Sequence, residues 1–372
     1  MNVLDIGMIS VVPSPYQRDL FQALADRKEL SLAVYYLERS SPDSPWPEQE
    51  LRPYEQVLSG FWTSVRGARV HVVTKHPSLA RHQVVVLNSL TSSLAQLCLR
   101  RKPIGQKLIF WAEALRQQQG KWRQLTQNFL TEPIKNADAI AAIGSRAMAL
   151  YQKQFPATPR FNIPYHCELA PFRDRPATFN LRDGEVVFLF CGQVIARKGV
   201  DVLIRAFDNL IREGLPARLL LAGRRADLDE MLSLASAEAR ARIYYEGFVN
   251  PVDLPALFAK SHAFVLPSRY DGWGVVVNQA LGAGLPIICS DAVGAGHELV
   301  HDGINGYRVP TGDVVRLAAA MKSLVIHPHR LADYGQASLA IANDWTPRRG
   351  AEKWLTALDQ LDSAHAYSPC LK

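Results

Sequence analysis

The sequence predicts an α/β chain made of two parallel sheets covered by helices, and three observations lead there. Short apolar, β-branched-rich runs alternate with longer amphipathic segments along nearly all of the chain. The alternation comes as two successive series, separated by a stretch rich in proline and polar residues. The length, 372 residues, exceeds what one ordinary core of about 100–200 residues holds. Two Rossmann-like domains facing each other across a cleft follow from this pattern, with ligands expected at the carboxyl ends of the strands.

In the first series, strands are expected at 3–12 (VLDIGMISVV), 30–37, 69–74, 83–89, 107–113 and 138–144. In the second they are expected at 185–192, 217–223, 243–248, 263–268 and 286–291. The linker is FPATPRFNIPYHCELAPFRDRPATFNLRDGE, centred near 165–180. Beyond the second series, WTPRRGAEKWLTALDQL at 345–361 opens on Thr-Pro and carries apolar residues at helical spacing, so a final helix is expected. The expected division is therefore 1–168, 169–344 and a C-terminal helix and tail at 345–372.

Composition narrows the function classes. With 48% hydrophobic and 21% charged residues, the chain has the make-up of a soluble globular protein. No run approaches the roughly 18 apolar residues of a spanning helix, and the N-terminus MNVLDIGMIS has an acid and no basic leader, so the expectation is cytoplasmic and unprocessed. Five cysteines lie scattered without a CxxC pair, which argues against a zinc site or a disulfide framework and for reduced thiols. Residues 1–170 carry 20 Lys and Arg against 13 Asp and Glu, so the whole net charge of +7 lies in the first half. Either that half faces something anionic, namely phosphates, nucleic acid or an acidic membrane surface, or it is an ordinary solvated basic surface. The basic pI near 9.2 comes with no recognised nucleic-acid module, so no nucleic acid is expected as partner.

Two loops at expected strand ends carry the chemistry. In FLFCGQVIARKGVDVLIRAFDNL, residues 188–210, a strand ends at Gly192, Arg197 and Lys198 follow, and Gly199 precedes an amphipathic helix. Glycine admits close backbone approach, two adjacent cations hold a diphosphate, and a helix N-terminus adds free N–H groups. A solvated basic turn is the plainer alternative. In YDGWGVVVNQALGAGLPIICSD, residues 270–291, Asp271 precedes a helix, Gly272 and Gly274 expose backbone N–H groups, and Gln279 lies two turns on. That layout suits a ligand with both a phosphate and sugar hydroxyls. Asp271 as a helix cap and Trp273 as a core anchor are the structural alternatives. Neither GxxxxGK[ST] nor GxGxxG occurs, so P-loop chemistry and a dinucleotide cofactor are unsupported. Asp227-Leu228-Asp229 reads as an exposed helix start and not as a metal ligand, so no metal is expected.

These motifs resemble the retaining glycosyltransferases of family 4, which have the GT-B fold. Their signature is a pair of acids separated by seven residues in Glu-Gly-Phe-Gly-x-x-x-x-Glu, followed by Gly-x-Pro. This chain has Asp271-Gly272-Trp273-Gly274 through to Gln279, then Gly284-Leu285-Pro286. The resemblance continues in GQVIARKGVDVL, EGFV, LPSRYDGWG and SDAVGAGHELVHDGINGYRVPTGD, and covers roughly residues 185–360.

By resemblance, Arg197 and Lys198 neutralise the diphosphate of a nucleotide sugar, Gly192 and Gln193 line the donor loop, and Gly247, Phe248 and Val249 lie near the base. Asp271 contacts the donor sugar's hydroxyls, and the amides of Gly272, Trp273, Gly274 and Val275 touch sugar and phosphate. Gln279 takes the place of the acid that usually holds the ribose, losing a charge-assisted bond. Two further departures are Gln193, where some relatives carry Arg, and Pro13-Ser14-Pro15-Tyr16-Gln17-Arg18, where many have a Gly-Gly loop. On the acceptor side, Ser14, Tyr16, Arg18 and Trp111 are expected, with Glu113 as a candidate near the chemistry or as a structural acid.

The resemblance also implies that the C-terminal helix crosses back to the first domain. The implied reaction is metal-independent, retaining transfer from a nucleotide-diphosphate sugar to a glycan or lipid-linked acceptor, with no cofactor. Basic, apolar stretches at 97–107 and 116–135 fit an anionic membrane surface and suggest a peripheral enzyme of polysaccharide or lipopolysaccharide assembly on the inner face of the cytoplasmic membrane. The alternatives are a catalytically impaired binding or scaffold subunit, favoured by Gln193 and Gln279, and a sugar-nucleotide epimerase of the same architecture.

Overall fold

The computed structural model describes residues 3–41, 46–65, 68–102, 105–116, 120–179, 181 and 184–366. The chain divides into two units, Met1–Cys167 with Pro347–Lys372, and Glu168–Thr346.

The first unit holds strands β1 (Leu4–Ser10), β2 (Leu30–Tyr36), β3 (Glu55–Val57), β4 (Gly60–Val65), β5 (Ala68–Val73), β6 (Val84–Leu87), β7 (Lys107–Ala112), β8 (Ala139–Ala142) and β9 (Arg160–Asn162). Seven of them form one parallel sheet in the order β3-β2-β1-β6-β7-β8-β9. Its central strands are apolar along their length because both faces are covered: β6 (VVVL) and β8 (AIAA) are buried at every position. One face carries Ile9, Val85, Leu87, Phe110, Ile140 and Tyr151. Near the helix Pro15–Ala25, Trp111 meets Phe21 and, on the terminal helix Pro347–Ala366, Trp354, with ring centroids 6.4 and 5.5 Å away. The terminal helix packs on Pro15–Ala25 and belongs to this first unit.

One expected strand lies elsewhere. The run at 69–74 forms β5, which pairs antiparallel with β4 as a separate hairpin, Gly60 opposite Val73. Alternating β-branched residues declare a strand but not its partner. A Cβ on Gly60 would sit 2.4 Å from the Val72 carbonyl oxygen, so the hairpin needs glycine there. Strands β3, β4 and β9, too short or too polar to stand out, lie outside the expected set.

The second unit holds β10 (Val186–Cys191), β11 (Ala217–Ala222), β12 (Ile243–Gly247), β13 (Ala263–Leu266), β14 (Ile287–Ser290) and β15 (Gly306–Val309). They form a parallel sheet in the order β12-β11-β10-β13-β14-β15. The first five match expected strands; β15 is additional. Strands β13 and β14 are buried at every position. The chain runs outward from β10 to β11 and β12, then returns to the far side of β10 as β13. The boundary between β10 and β13 is therefore a switch point, where the following loops diverge and leave a crevice at the carboxyl ends.

Candidate functional site

Both motif loops leave the sheet at this switch point. After β10 the backbone passes through Gly192 and Gln193 into a single 3₁₀ turn, Ala196–Lys198, and Gly199 opens the helix Val200–Arg212. Gly199 has φ 72°, and a Cβ on it would lie 1.9 Å from the Pro267 carbonyl oxygen. Any side chain here would push the β10 loop off the loop that follows β13. The same helix buries Val202, Leu203, Ala206, Phe207 and Leu210.

Arg269 staples the two loops together. Its backbone N–H donates to the Arg197 carbonyl at 2.8 Å, and its guanidinium makes a bidentate pair with Asp201 at 2.6 and 2.7 Å. Hydrogen bonds from Arg269 hold the Asp201 carboxyl below its ordinary pKa against the opposing effect of burial. Arg197 donates from Nη1 to the Tyr270 carbonyl at 3.0 Å. Lys198 Nζ lies 2.5 Å from Asp271 Oδ2, with both side chains largely covered. The structure thus brings Arg197, Lys198 and Asp271 together.

Behind Asp271 the loop crosses the segment after β14. Asp271 N–H donates to the Ala292 carbonyl, Gly294 N–H donates to the Asp271 carbonyl, and Ala295 N–H to that of Trp273. A Cβ on Gly294 would stand 2.1 Å from the Gly272 carbonyl oxygen, so this crossing too is backbone on backbone. Gly274 (φ 91°) occupies the N-cap of the helix Val275–Gly282 and has no side chain to cap it, which leaves first-turn N–H groups available to an anion. Gln279 is half-buried on this helix, one turn beyond Val275, and its amide makes no hydrogen bond among the described residues.

Other expected positions have plain places. Trp273 is a core anchor: its side chain is fully buried, donates from Nε1 to Asn278 Oδ1 at 2.9 Å and lies 5.7 Å from the Trp345 ring. Gly247 ends β12 at φ 72°, followed by exposed Phe248 and half-buried Val249. Gln193 is half-buried. Burial pushes the Cys191 thiol up to about 12, with Lys198 pulling the other way, so no thiolate nucleophile stands at the strand end. Asp229 is exposed and paired with Arg225.

The first unit has its own switch point, between β1 and β6. There Ser10 and Ser14 donate to Gln17 Oε1, each at 2.9 Å, Gln17 Nε2 donates to Asn88 Oδ1 at 2.7 Å, and Asn88 Nδ2 to the Trp111 carbonyl at 2.8 Å. Tyr165 joins this network through Asn88 and Gln17; burial and the nearby Glu113 and Tyr16 raise its pKa well above the ordinary value. Glu113 and Tyr16 are half-buried, Tyr16 with its ring 5.1 Å from that of Tyr165.

Three acceptor-side expectations require correction. Ser14 is 2% exposed and its hydroxyl is taken up by Gln17 inside the fold. Arg18 is 3% exposed and forms a bidentate pair with Glu55, Nε to Oε1 at 2.8 Å and Nη2 to Oε2 at 2.6 Å, so its charge is already neutralised inside the fold. Trp111 has no exposed surface and donates from Nε1 to the Ile163 carbonyl at 3.0 Å, an anchor between sheet and helices. Gln17, Asn88 and Tyr165 were not among the expected site residues. Asn88 carried a signal, a polar residue ending an apolar strand; Tyr165 lay within a proline-rich linker that gave none.

Residues 172–339 match the family model described as glycosyl transferases group 1. The second unit belongs to that family. Among relatives of this glycosyl transferases group 1 unit, the chain is 29% identical over 149 residues to an alpha-D-kanosaminyltransferase of Streptomyces kanamyceticus, covering 39% of this chain and 38% of the relative. The chain thus spans about two fifths of the length of the curated relatives it matches. Solved structures extend the likeness to the first unit. A sucrose-phosphate synthase from Thermosynechococcus elongatus superposes with TM-score 0.74 at 20% identity, over 97% of this chain and 100% of the other. Anabaena HepE in complex with UDP gives TM-score 0.70 at 15% identity, over 96% and 100%. At these identities the likeness establishes the fold, the GT-B class of two Rossmann-like domains.

Proposed function

We propose that the protein is a retaining glycosyltransferase that moves a sugar from a nucleotide-diphosphate sugar to an acceptor hydroxyl on a lipid-linked or polysaccharide acceptor, in cell-surface glycan assembly. The carrying observation is the Lys198–Asp271 ion pair at the β10/β13 switch point, 2.5 Å long and stapled by Arg269. It sets a cation for a phosphate beside a carboxylate for sugar hydroxyls. The group 1 family match and the UDP bound to a similar fold support a nucleotide-sugar donor.

In this reading negative charge grows on the departing diphosphate. Arg197, Lys198 and the uncapped N–H groups after Gly274 stabilise it, held in place before the reaction begins. That cationic set supplies the charge, so transfer is proposed to need no metal and no cofactor. The leaving phosphate takes the acceptor's proton as the hydroxyl attacks the anomeric carbon from the same face, and the C–O bond to phosphate breaks as the new one forms. The first unit supplies the acceptor side through Tyr16 and Glu113, and with a lipid-linked acceptor the enzyme works on the inner face of the cytoplasmic membrane.

Incubation with UDP-, GDP- and ADP-sugars, with and without EDTA, tests the reading by thermal shift and donor hydrolysis. Stabilisation by one donor and slow, EDTA-insensitive hydrolysis are expected. Absence of binding to every nucleotide sugar overturns the enzyme; binding without turnover points to an impaired binding subunit, and release of an isomerised nucleotide sugar to an epimerase.

A further inference from the structure

The helix Lys121–Thr131, KWRQLTQNFLT, is built the wrong way round for a globular protein. None of its residues is buried. Trp122, Leu125 and Phe129, spaced three and four apart, share one face, and they are 74%, 58% and 65% exposed. The better-covered residues, Gln127 and Leu130, lie on another side, where Gln127 donates to the Arg116 carbonyl at 2.9 Å. At about 100° per residue, Lys121 borders the apolar stripe beside Leu125, while Arg123 falls on the side of Gln127 and Leu130. Neither forms an ion pair among the described residues. The helix Ser93–Arg100 continues the patch with Leu97, 37% exposed, and Arg100, whose guanidinium lies 4.3 Å from the Phe129 ring centre.

We infer that Lys121–Thr131 is an interfacial helix that lies in the surface of an anionic lipid bilayer, with Trp122, Leu125 and Phe129 inserted and Lys121 and Arg100 on the headgroups. A contiguous apolar face of this size is rare on a monomer unless something covers it. Charge selects the occupant. Lys121 and Arg100 place cations at the edge of the stripe, so the complementary surface is anionic and apolar at once, which describes acidic lipid headgroups over acyl chains. Trp and Phe beside Lys and Arg suit that boundary, the rings at headgroup depth and the cations above it. Among the described residues no helix is long and apolar enough to span a membrane, so this contact is peripheral. The inference deepens the proposed use of a lipid-linked acceptor, and its observations are independent of the donor site.

Flotation with phosphatidylglycerol vesicles and with phosphatidylcholine vesicles tests it on the full chain. The protein floats with the anionic vesicles at low salt, and binding falls by at least about tenfold on raising ionic strength or with Lys121→Glu/Arg100→Glu. Trp122→Ser/Leu125→Ser/Phe129→Ser abolishes flotation while leaving nucleotide-sugar stabilisation as in the parent protein, which shows the fold and donor site intact. The inference is overturned if the triple variant floats undiminished, if flotation is lost only on Phe61→Ser/Trp62→Ser in the hairpin, or if the stripe proves to mediate salt-insensitive dimers in sedimentation velocity and the chain ignores vesicles. Donor binding without flotation would sink the membrane contact alone; flotation without donor binding would sink the transferase reading alone.

Discussion

Lys198 and Asp271, 73 residues apart in sequence, meet at 2.5 Å because Gly199 lets the β10 loop lie against the Pro267 carbonyl. The carboxylate is held by the lysine and the loop by its backbone: Asp271 N–H donates to Ala292, and its carbonyl accepts from Gly294. Asp271→Ala should therefore leave the fold intact and lower kcat/KM by about 100-fold or more, the scale of a lost group that stabilises the transition state. Lys198→Met should do likewise, and the double variant should cost much less than the sum, since the two act as a pair. Kinetics against the responsive donor decide it; a loss below about threefold for either single variant removes this pair from the site.

Gln279 carries the second prediction. In the proposed donor site its amide would accept from a ribose hydroxyl through a neutral oxygen, whereas a carboxylate would make a charge-assisted bond worth about 1 kcal/mol more. Gln279→Glu should tighten the donor nucleotide by about fivefold in calorimetric titration, with little change when the free sugar alone is titrated. Weaker binding to the nucleotide would mean that Gln279 faces phosphate and not ribose hydroxyls.

Much of the second unit was legible because its signals are local. A strand, a glycine, a short loop and a helix follow one another within 188–210 and again within 263–282, and each piece has its own residue pattern. Whatever depended on distant partners was not. Arg18 reads as an exposed cation in an N-terminal loop until Glu55 arrives from 37 residues away. Trp111 sits at a strand end like a ligand-binding residue, yet its neighbours Trp354 and Tyr165 come from beyond any local window. Trp273 shows the reverse: its place in the donor motif suggested contact with ligand, while Asn278 and Trp345 give it a purely structural role for the side chain. The part of the basic stretches at 103–104 and 117–119 lies outside the described residues.

The Arg18–Glu55 pair predicts a large stability effect remote from chemistry. Burial alone would raise the Glu55 carboxyl, but bonds from Arg18, the Arg52 N–H and the Tyr36 hydroxyl outweigh it, and its pKa lies below the ordinary value. Side-chain exposures are 4% and 0%. Glu55→Ala strands a guanidinium in the interior and should cost about 3–5 kcal/mol in urea unfolding, whereas Arg18→Met/Glu55→Leu should recover most of the loss. A single-variant cost under about 1 kcal/mol would show that the interior tolerates the unpaired charge.

His166, 1% exposed, lies under the terminal helix, where a Cβ on Gly350 would come within 2.8 Å of it. Burial, and then the charge of Lys353, lower its pKa from 6.5 to about 4, while the Pro164 carbonyl opposes them. The unfolded chain takes up this proton below about pH 6.5 and the folded chain only near pH 4, so between those values the unfolded state binds more protons. Stability contributed by neutral His166 is therefore full above about pH 6.5, falls as pH drops through that window, and is gone near pH 4, for a total of about 3 kcal/mol. His166→Gln removes the titrating group. Its urea stability should change less between about pH 7 and pH 4.5 than that of the parent, by about 2 kcal/mol. Parallel pH profiles for the two proteins would show that His166 accepts its proton without disturbing the first unit.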